Sequence, residues 1–471
     1  MKIINRLLMV ILCAVSMNSC DRYTDLTPKG KNLLLNVDDL DYLLNVNLSA
    51  STAFYMQNLP ALTNDMYLTT VSNILANNQT MNYAILTYDE TLNRADLQKT
   101  DLVYEQLYAL ISSRLNVLLD QVDNAEGDVL KGKRLKAEAL TLRAFLHYLV
   151  VNIYAKAYDP ATAAREGGIA YMDKLDFENL PQKSTVEEVY QKILTDLRLA
   201  EELDALHDLP QVVTRPSKAF LYAVKAEVFR TMRRYEDAIV AADKALTYNN
   251  NLEDHRPFIA TGIAVRTNRT ASDNILLAAD KLNNPTFRVV SIEVMEKYFE
   301  KGYILKDYTS TYSYTTGGVN YSELNGTQFA FAGALMFYAN GYQQNAAGMT
   351  VSDLYFIKAE SLIRLGRYVD AMTLLNYVKE RRFHPSDYVP YVATDEQQAM
   401  AVFKKLSRLE FLFTWKNYVN IKRWNTEDRY KETITRTING KVYSLSPQSP
   451  LWIFPFPQSV TNYNTNMTQN Y

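Results

Sequence analysis

Cysteine is nearly absent from this chain: Cys13 and Cys20 are the two in 471 residues. A disulfide framework therefore cannot hold the fold, and an apolar core must do so, which a chain of this length can build. There is no basic block either. Lys and Arg total 50 against 52 Asp and Glu, for a formal charge of −2, and nucleic-acid binding needs a positive face. Four histidines (His147, His207, His255, His384) are scattered without metal-ligand spacing, and no His-Glu-x-x-His occurs. A Gly-x-Ser-x-Gly elbow and a Gly-rich phosphate loop are also missing. Nothing marks the pair of facing carboxylates that glycoside hydrolysis requires. Asp38-Asp39-x-Asp41 lacks the Gly and terminal Glu of a calcium loop. No catalytic activity, metal or cofactor is expected.

Long hydrophobic runs are confined to the N-terminus. Lys2 and Arg6 precede the apolar stretch Leu7–Val15, too short for the roughly 20 residues of a bilayer span. Ser16, Asn18 and Ser19 follow, and then Cys20. This order resembles a bacterial lipoprotein signal (residues 1–19), in which the cysteine thiol is lipidated after cleavage. The alternative is an ordinary secretory signal with an incidental cysteine. Cleavage before Cys20 removes Lys2 and Arg6 from the 50 basic residues, leaving 48 against 52 acidic. Two or three acyl chains, at about 0.8 kcal/mol per buried methylene, would tether a soluble body to a membrane.

Tyrosine is abundant, at 34 residues against three Trp, and offers a flat apolar face with a hydroxyl. Internal repeats are also present. "LYAVKAEVFRTMRRYEDAI" (221–239) aligns without a gap on "LYFIKAESLIRLGRYVDAM" (354–372), sharing Leu-Tyr, Lys-Ala-Glu, Arg-Tyr and Asp-Ala. A third copy of the first half begins at Lys136. Small residues at close approaches and an Arg-Tyr turn follow the logic of a tetratricopeptide helical hairpin. Glu138, Glu227 and Glu360 occupy equivalent repeat positions, which indicates a scaffold role. Helical patterns cover about 96–120, 133–158, 184–206, 216–249, 351–383 and 396–424. The fold class is mostly α: a tetratricopeptide-like helical-repeat scaffold with long irregular and short-strand insertions. We read one domain over 20–471. It comprises an irregular N-terminal segment (about 20–94), a scaffold (about 95–249 and 351–424), a loop- and strand-rich insertion (about 250–350) and a C-terminal segment (425–471). In "RLEFLFTWKNYVNIKRW" (408–424) a helical arrangement puts Leu409, Phe413, Trp415 and Tyr418 near one side, as core residues. Arg408 and Glu410 then serve as ion-pair or capping residues.

Four landmarks lie in order along the chain. Cys20 is followed by "YTDLTPKG", close to an opening Leu-x-Pro segment. "VYEQLYALISSRLNVLLD" (103–120) carries an Asn-x-x-Leu pattern, and "RLKAEALTLRAFLHYLVVNIY" (134–154) carries Ala-Glu-Ala-x-x-x-Arg-Ala. The fourth is Arg408-x-Glu410-Phe411, then Asn420-Ile421-x-Arg423-Trp424, with Phe-Pro-Phe-Pro and an Asn-x-x-x-x-Gln-Asn tail. Together these landmarks make the chain resemble the SusD/RagB family, which has Asp-Leu where Asn420-Ile421 stands here.

The resemblance implies a lipid-anchored protein on the outer face of the outer membrane, with Cys20 as the lipidated residue. It would bind an oligosaccharide or polysaccharide and deliver it, as a lid, to a SusC-like TonB-dependent transporter, without covalent chemistry. The same role for peptides, as in the RagB branch, is the alternative; a surface hydrolase is a third reading. In resembling proteins the ligand site is built from the segment before the first repeat and from the large insertion. Here those places hold Tyr67, Asn73, Asn78 and Tyr83, then Tyr308, Tyr312, Tyr314 and Tyr321. Tyr312 and Tyr314 would share one face of a strand. These tyrosines read equally well as exposed strand residues or as cover for the scaffold.

Overall fold

The chain is mostly α. A computed structural model describes residues 34–46, 48, 56–67, 71–176, 178–262, 264–267, 270–278, 289–311, 315–316, 319–320, 335–337 and 342–471. Side chains are described for all of these except 71–72, 308–311, 315–316, 319–320 and 335–337. Cys20, Tyr312, Tyr314 and Tyr321 lie outside the described residues.

The N-terminal segment carries more helix than its Asn- and Thr-rich text predicts. Among the described residues, five short helices occupy it: α1 (Val37–Leu44), α2 (Asn58–Leu62), α3 (Val71–Ala76), α4 (Met81–Thr87) and α5 (Arg94–Leu97). The polar residues are there as caps: Asn36 accepts from the Asp39 amide and Thr80 from the Tyr83 amide, each satisfying a donor that the first turn leaves open.

The scaffold opens with α6 (Leu102–Leu110), a π turn (Ile111–Leu115) and α7 (Asn116–Gln121). The long α8 (Val129–Tyr154) follows and is buried on nearly every side over its second half. A short antiparallel pair, β1 (Gly167–Ala170) with β2 (Lys183–Thr185), leads to α9 (Val186–Glu202), which a Thr185/Glu188 capping box starts.

The repeats form α10 (Lys218–Thr231) with α11 (Tyr235–Tyr248), and later α14 (Val351–Arg364) with α15 (Tyr368–Glu380). Each hairpin turns through a left-handed residue at the equivalent position, Arg233 (φ 61) and Gly366 (φ 76). Glycine takes that conformation freely, whereas an arginine is strained in it. Arg233 is held there by a hydrogen bond to the Thr426 hydroxyl at 2.7 Å.

Between the two hairpins lies the insertion, with α12 (Arg256–Thr261), α13 (Ile292–Tyr298) and short strands. β3 (Asn274–Leu276) pairs with β9 (Met349–Thr350). β4 (Val289–Val290), β8 (Leu335–Phe337) and β5 (Thr309–Thr311) make a three-stranded antiparallel sheet in the order β4-β8-β5, and β6 (Thr315–Thr316) pairs with β7 (Val319–Asn320).

The segment 408–424 is two helices rather than one. α16 (Glu396–Glu410) ends before Phe413, whose φ is 66, and α17 (Trp415–Trp424) restarts on the Thr414 cap. Leu409, Phe413, Trp415 and Tyr418 are nevertheless all buried, because the break turns both helices onto one core. β10 (Ile434–Ile438) and β11 (Lys441–Leu445) form a hairpin, and α18 (Gln458–Thr461) lies near the end.

Buried ion pairs tie these elements together, and the sequence landmarks supply them. Arg143, of the Ala-Glu-Ala-x-x-x-Arg-Ala helix, donates twice to Asp196 at 2.7 Å and once to Asn116 of the Asn-x-x-Leu helix at 2.9 Å. Beside it, His147 donates from Nδ1 to the Arg143 carbonyl and accepts at Nε2 from the Met172 amide, both at 3.0 Å. That fixes the neutral tautomer, and burial with the nearby Arg143 charge lowers its pKa to about 3.

Arg408 meets Asp65 at 2.6 Å, and Glu410 accepts from Arg382 at 2.7 Å. In the tail, the Gln469 amide exchanges two hydrogen bonds with the Phe456 backbone, and Asn470 donates to the carbonyls of Tyr154 and Gly168.

The three repeat glutamates are buried and each holds an arginine: Glu138 with Arg215, Glu227 with Arg230, Glu360 with Arg423. Glu360 also accepts from the Trp424 indole at 2.9 Å and from Arg230 at 3.3 Å. Burial alone would raise its pKa, but the charges of Arg423 and Arg230 outweigh it and hold the carboxyl well below the ordinary 4.5.

A folded-state pKa below the unfolded one contributes stability that is present above pH 4.5 and lost as pH falls below it. Glu360→Gln should therefore cost about 3–5 kcal/mol at pH 7, because it leaves Arg423 buried without its partner. It should also flatten the acid limb of the stability curve. Denaturant titrations from pH 3 to 7 read both effects; an unchanged midpoint and an unchanged acid limb would contradict the assignment.

Candidate functional site

Where the N-terminal segment meets the insertion, a second small apolar cluster forms from Tyr67, Ile74, Leu86, Val289 and Ile438, with Tyr83, Ile292 and Tyr443 packed at its edge. Three separate stretches of chain build it: the α2–α4 segment, the β4–α13 segment and the β10–β11 hairpin.

The hairpin follows from its residues. Ile434, Arg436 and Ile438 alternate inward between exposed Thr435 and Thr437. Asn439 (φ 50) and Gly440 (φ 77) make the left-handed two-residue turn that suits a right-twisted ribbon.

A polar strut fixes the cluster from behind. Arg436, 1% exposed, donates to Asn64 at 2.9 Å, to the carbonyls of Ile85 and Leu86 at 2.9 and 2.8 Å, and to the Ala61 carbonyl. Its charge thus sits on the buried carbonyl ends of α2 and α4, where a helix carries partial negative charge.

Glu293, on α13, accepts from the Tyr67 hydroxyl at 2.8 Å, from Asn64 at 3.1 Å and from the Thr437 amide at 2.7 Å. One carboxylate therefore joins all three stretches.

Of the residues predicted from sequence, Tyr67 is interior: it is 1% exposed, and its hydroxyl also accepts from the Ile292 amide. Burial, with the Glu293 charge adding to it, holds that phenol protonated. It belongs to the floor of the site, and its ring is not a surface platform in this conformation.

Asn73 and Asn78 are exposed on the α3–α4 hairpin, and Tyr83 is half-buried at the cluster's edge. Tyr308 ends a 3₁₀ turn (Ile304–Tyr308) that enters β5, in the same sheet as β4.

Sequence reasoning missed Asn82, exposed beside Tyr83, and the hairpin residues Thr435, Thr437 and Tyr443. Two signals were available. The Asn-Gly turn flanked by alternating residues marks the hairpin. No Asp, Glu, Lys, Arg or His occurs from Met66 to Tyr88, and Glu323 is the single charged residue from Tyr308 to Ser352. The exposed described residues of α3–α4 are accordingly uncharged, and all except Ala76 are amides: Asn73, Asn77, Asn78, Gln79 and Asn82. Among the described residues, no three His, Cys, Asp or Glu side chains group as metal ligands would.

The comparisons with known proteins agree with this architecture. Residues 37–229 match a family model described as SusD-like, starch-binding associating with outer membrane, and residues 293–471 match the SusD family model. The chain belongs to the SusD family.

A crystal structure of a SusD superfamily protein from Bacteroides thetaiotaomicron VPI-5482 superposes with a TM-score of 0.72 at 16% identity, covering 93% of this chain and 100% of that one. A SusD-like carbohydrate binding protein from Bacteroides vulgatus ATCC 8482 gives 0.64 at 16% identity, over 92% and 97%. A SusD superfamily protein from Bacteroides fragilis gives 0.65 at 15%, over 92% and 99%. At such identities the likeness is one of fold. No curated protein matches the sequence. The two SusD-family matches leave out 230–292, which contains most of the first half of the insertion.

Arg436→Met removes four donated hydrogen bonds and strands the acceptors. It should cost about 3 kcal/mol and release α3–α4, read as faster amide exchange at 81–88. Unchanged exchange there would show that Arg436 does not hold the site.

Proposed function

We propose that this SusD-family chain binds oligosaccharide or polysaccharide at the cell surface and delivers it, as a lid, to a SusC-like TonB-dependent transporter in the outer membrane. Cys20 would be the lipid anchor, and the outer face of that membrane the location.

The observation that carries the ligand class is the uncharged face of α3–α4. Asn73, Asn78 and Asn82 present exposed amides, Tyr83 adds an aromatic edge, and no residue from Met66 to Tyr88 carries a charge. A neutral sugar supplies hydroxyls for such amides and an apolar ring face for tyrosine. A charged peptide would find no ion-pair partner from Met66 to Tyr88, so the glycan reading is favoured over the peptide reading. Tyr308, Tyr312, Tyr314 and Tyr321 of the insertion are proposed to complete the contact, with Tyr67 supporting from below.

Binding at an uncharged face should be insensitive to salt, since no screened charge pair is involved. A triple variant Asn73→Ala, Asn78→Ala, Asn82→Ala should bind glycan at least about tenfold more weakly, as the loss of a few hydrogen bonds of about 0.5–1.5 kcal/mol each implies. Its melting temperature should stay put, because these side chains are exposed. Calorimetry over a glycan panel measures the affinity; wild-type affinity in the triple variant, or tight peptide binding with silence across the panel, would overturn the reading. Palmitate labelling of wild type and Cys20→Ser tests the anchor: label should vanish in the variant, and equal labelling would refute it.

A further inference from the structure

A second concavity opens on a different part of the molecule, among the chain leaving α8, the end of α17 and the segment 447–453. It is a cleft of about 610 Å³, within the range of small-ligand sites. Pro447, Pro450 and Ile453 make its apolar wall, and Gln448, Thr162 and Thr426 add polar groups. Tyr471 forms one side and is 42% exposed. Its ring is backed by the Arg94 guanidinium at 3.9 Å from the centroid.

Two features of this cleft have no account in the fold. The first is charge. Lys422 lines the cleft, is buried, and donates to the carbonyls of Asn152 and Ala155 at 2.6 Å and to the Tyr418 hydroxyl at 3.2 Å. Arg94, behind Tyr471, donates to the carbonyls of Ile453 at 2.6 Å and Pro450 at 2.9 Å. Neither cation has a carboxylate within 4.0 Å among the described residues. The charged groups at the mouth are already matched, Lys156 with Glu166 at 2.7 Å and Asp159 with Arg233 at 3.7 Å. Neither cation is therefore held in a salt bridge, although the more distant Glu90 charge reaches Arg94; burial pushes the Lys422 ammonium well below its usual pKa, and a neighbouring anion would favour its charged form.

The second feature is an open donor. Asn425 lines the same cleft one helical turn from Lys422 and is 8% exposed. Its Oδ1 accepts from the Glu432 amide at 3.1 Å, while its buried Nδ2 has no partner. Capping the C-terminal end of α8 explains the hydrogen bonds of Lys422. It explains neither the unpartnered donor of Asn425 nor the cleft that this residue lines, and a buried donor without an acceptor is costly to keep.

We propose that this cleft is a second ligand site, for a saccharide unit that carries a carboxylate. The acid group accepts from Asn425 Nδ2 in the field of Lys422 and Arg94, and the sugar ring lies against Tyr471. The lysine acts through its charge, since its protons are already donated. The choice of a saccharide rests on the glycan reading above, whereas the preference for an anion rests on the cleft alone.

Calorimetry with sodium glucuronate as the probe, and glucose as its neutral counterpart, separates these points. Glucuronate should bind the wild type with one-to-one stoichiometry, and glucose at least about tenfold more weakly, as loss of a charge-assisted hydrogen bond implies. Asn425→Ala and Tyr471→Ala should each weaken glucuronate about tenfold or more. Tyr471 is exposed enough that its variant should keep the wild-type melting curve. The Asn73/Asn78/Asn82 triple variant should bind glucuronate as the wild type does, so failure at that face leaves this test intact. Equal affinity of glucuronate and glucose would overturn the anion preference. No heat with glucuronate, or wild-type affinity in both cleft variants, would overturn the site.

Discussion

The contact between Glu360 and Arg423 holds the two ends of the scaffold to each other. Glu360 has no exposed surface, and Arg423 meets it through two hydrogen bonds at 2.8 and 2.6 Å. One residue comes from the last repeat hairpin and the other from α17, so the pair closes the helical stack onto the C-terminal segment. Arg230 reaches the same carboxylate from the first hairpin, which makes Glu360 common to three helices. Such pairs gain little net stability over a packed apolar core, because desolvation offsets the attraction. Their value is geometric: each demands one partner at one place. Arg143 with Asp196, Arg408 with Asp65 and Arg382 with Glu410 repeat the device at other interfaces. A chain with almost no cysteine thereby registers its long insertion and terminal segments onto a helical frame.

Much of that frame was legible in the amino-acid text. The Lys-Ala-Glu and Arg-Tyr repeats place two hairpins correctly, because small residues at helix contacts and caps at helix starts act locally. Glu138, Glu227 and Glu360 could be read as scaffold residues from their spacing alone. Their partners could not, since Arg215 and Arg423 are far away in sequence and only the fold brings them in. The short helices before residue 94 were missed for a related reason. Asn36 and Thr80 look like loop residues until the helix each one caps is present. The break at Phe413 was hidden too, as an apolar run reads as one continuous helix and the left-handed turn there uses no glycine.

The candidate site divides along the same line. Asn73 and Asn78 lie exposed and Tyr83 half-buried, in the stretch where the resemblance placed ligand contacts. Tyr67 was grouped with them by composition, yet the structure places it in the floor, with its hydroxyl held by Glu293. The strut of Arg436 could not have been foreseen: an arginine in an alternating strand reads as a solvent-facing residue, whereas here it points inward to four acceptors. The clearest sequence signal was an absence. Two long stretches carry almost no charge in a chain with 102 charged residues, and the first of them supplies α3–α4 of the candidate site. A floor held by the hydrogen bonds of Arg436 and Glu293 to neutral groups supports an α3–α4 edge without charge, which suits a neutral, hydroxyl-rich ligand.

The most direct measurement is hydrogen–deuterium exchange of the full chain with and without a glycan that binds it. A ligand seated on the uncharged face should slow exchange at residues 73–83 and 434–445 together, because the two segments share one floor. A glycan that binds while leaving both segments unchanged would contradict the account.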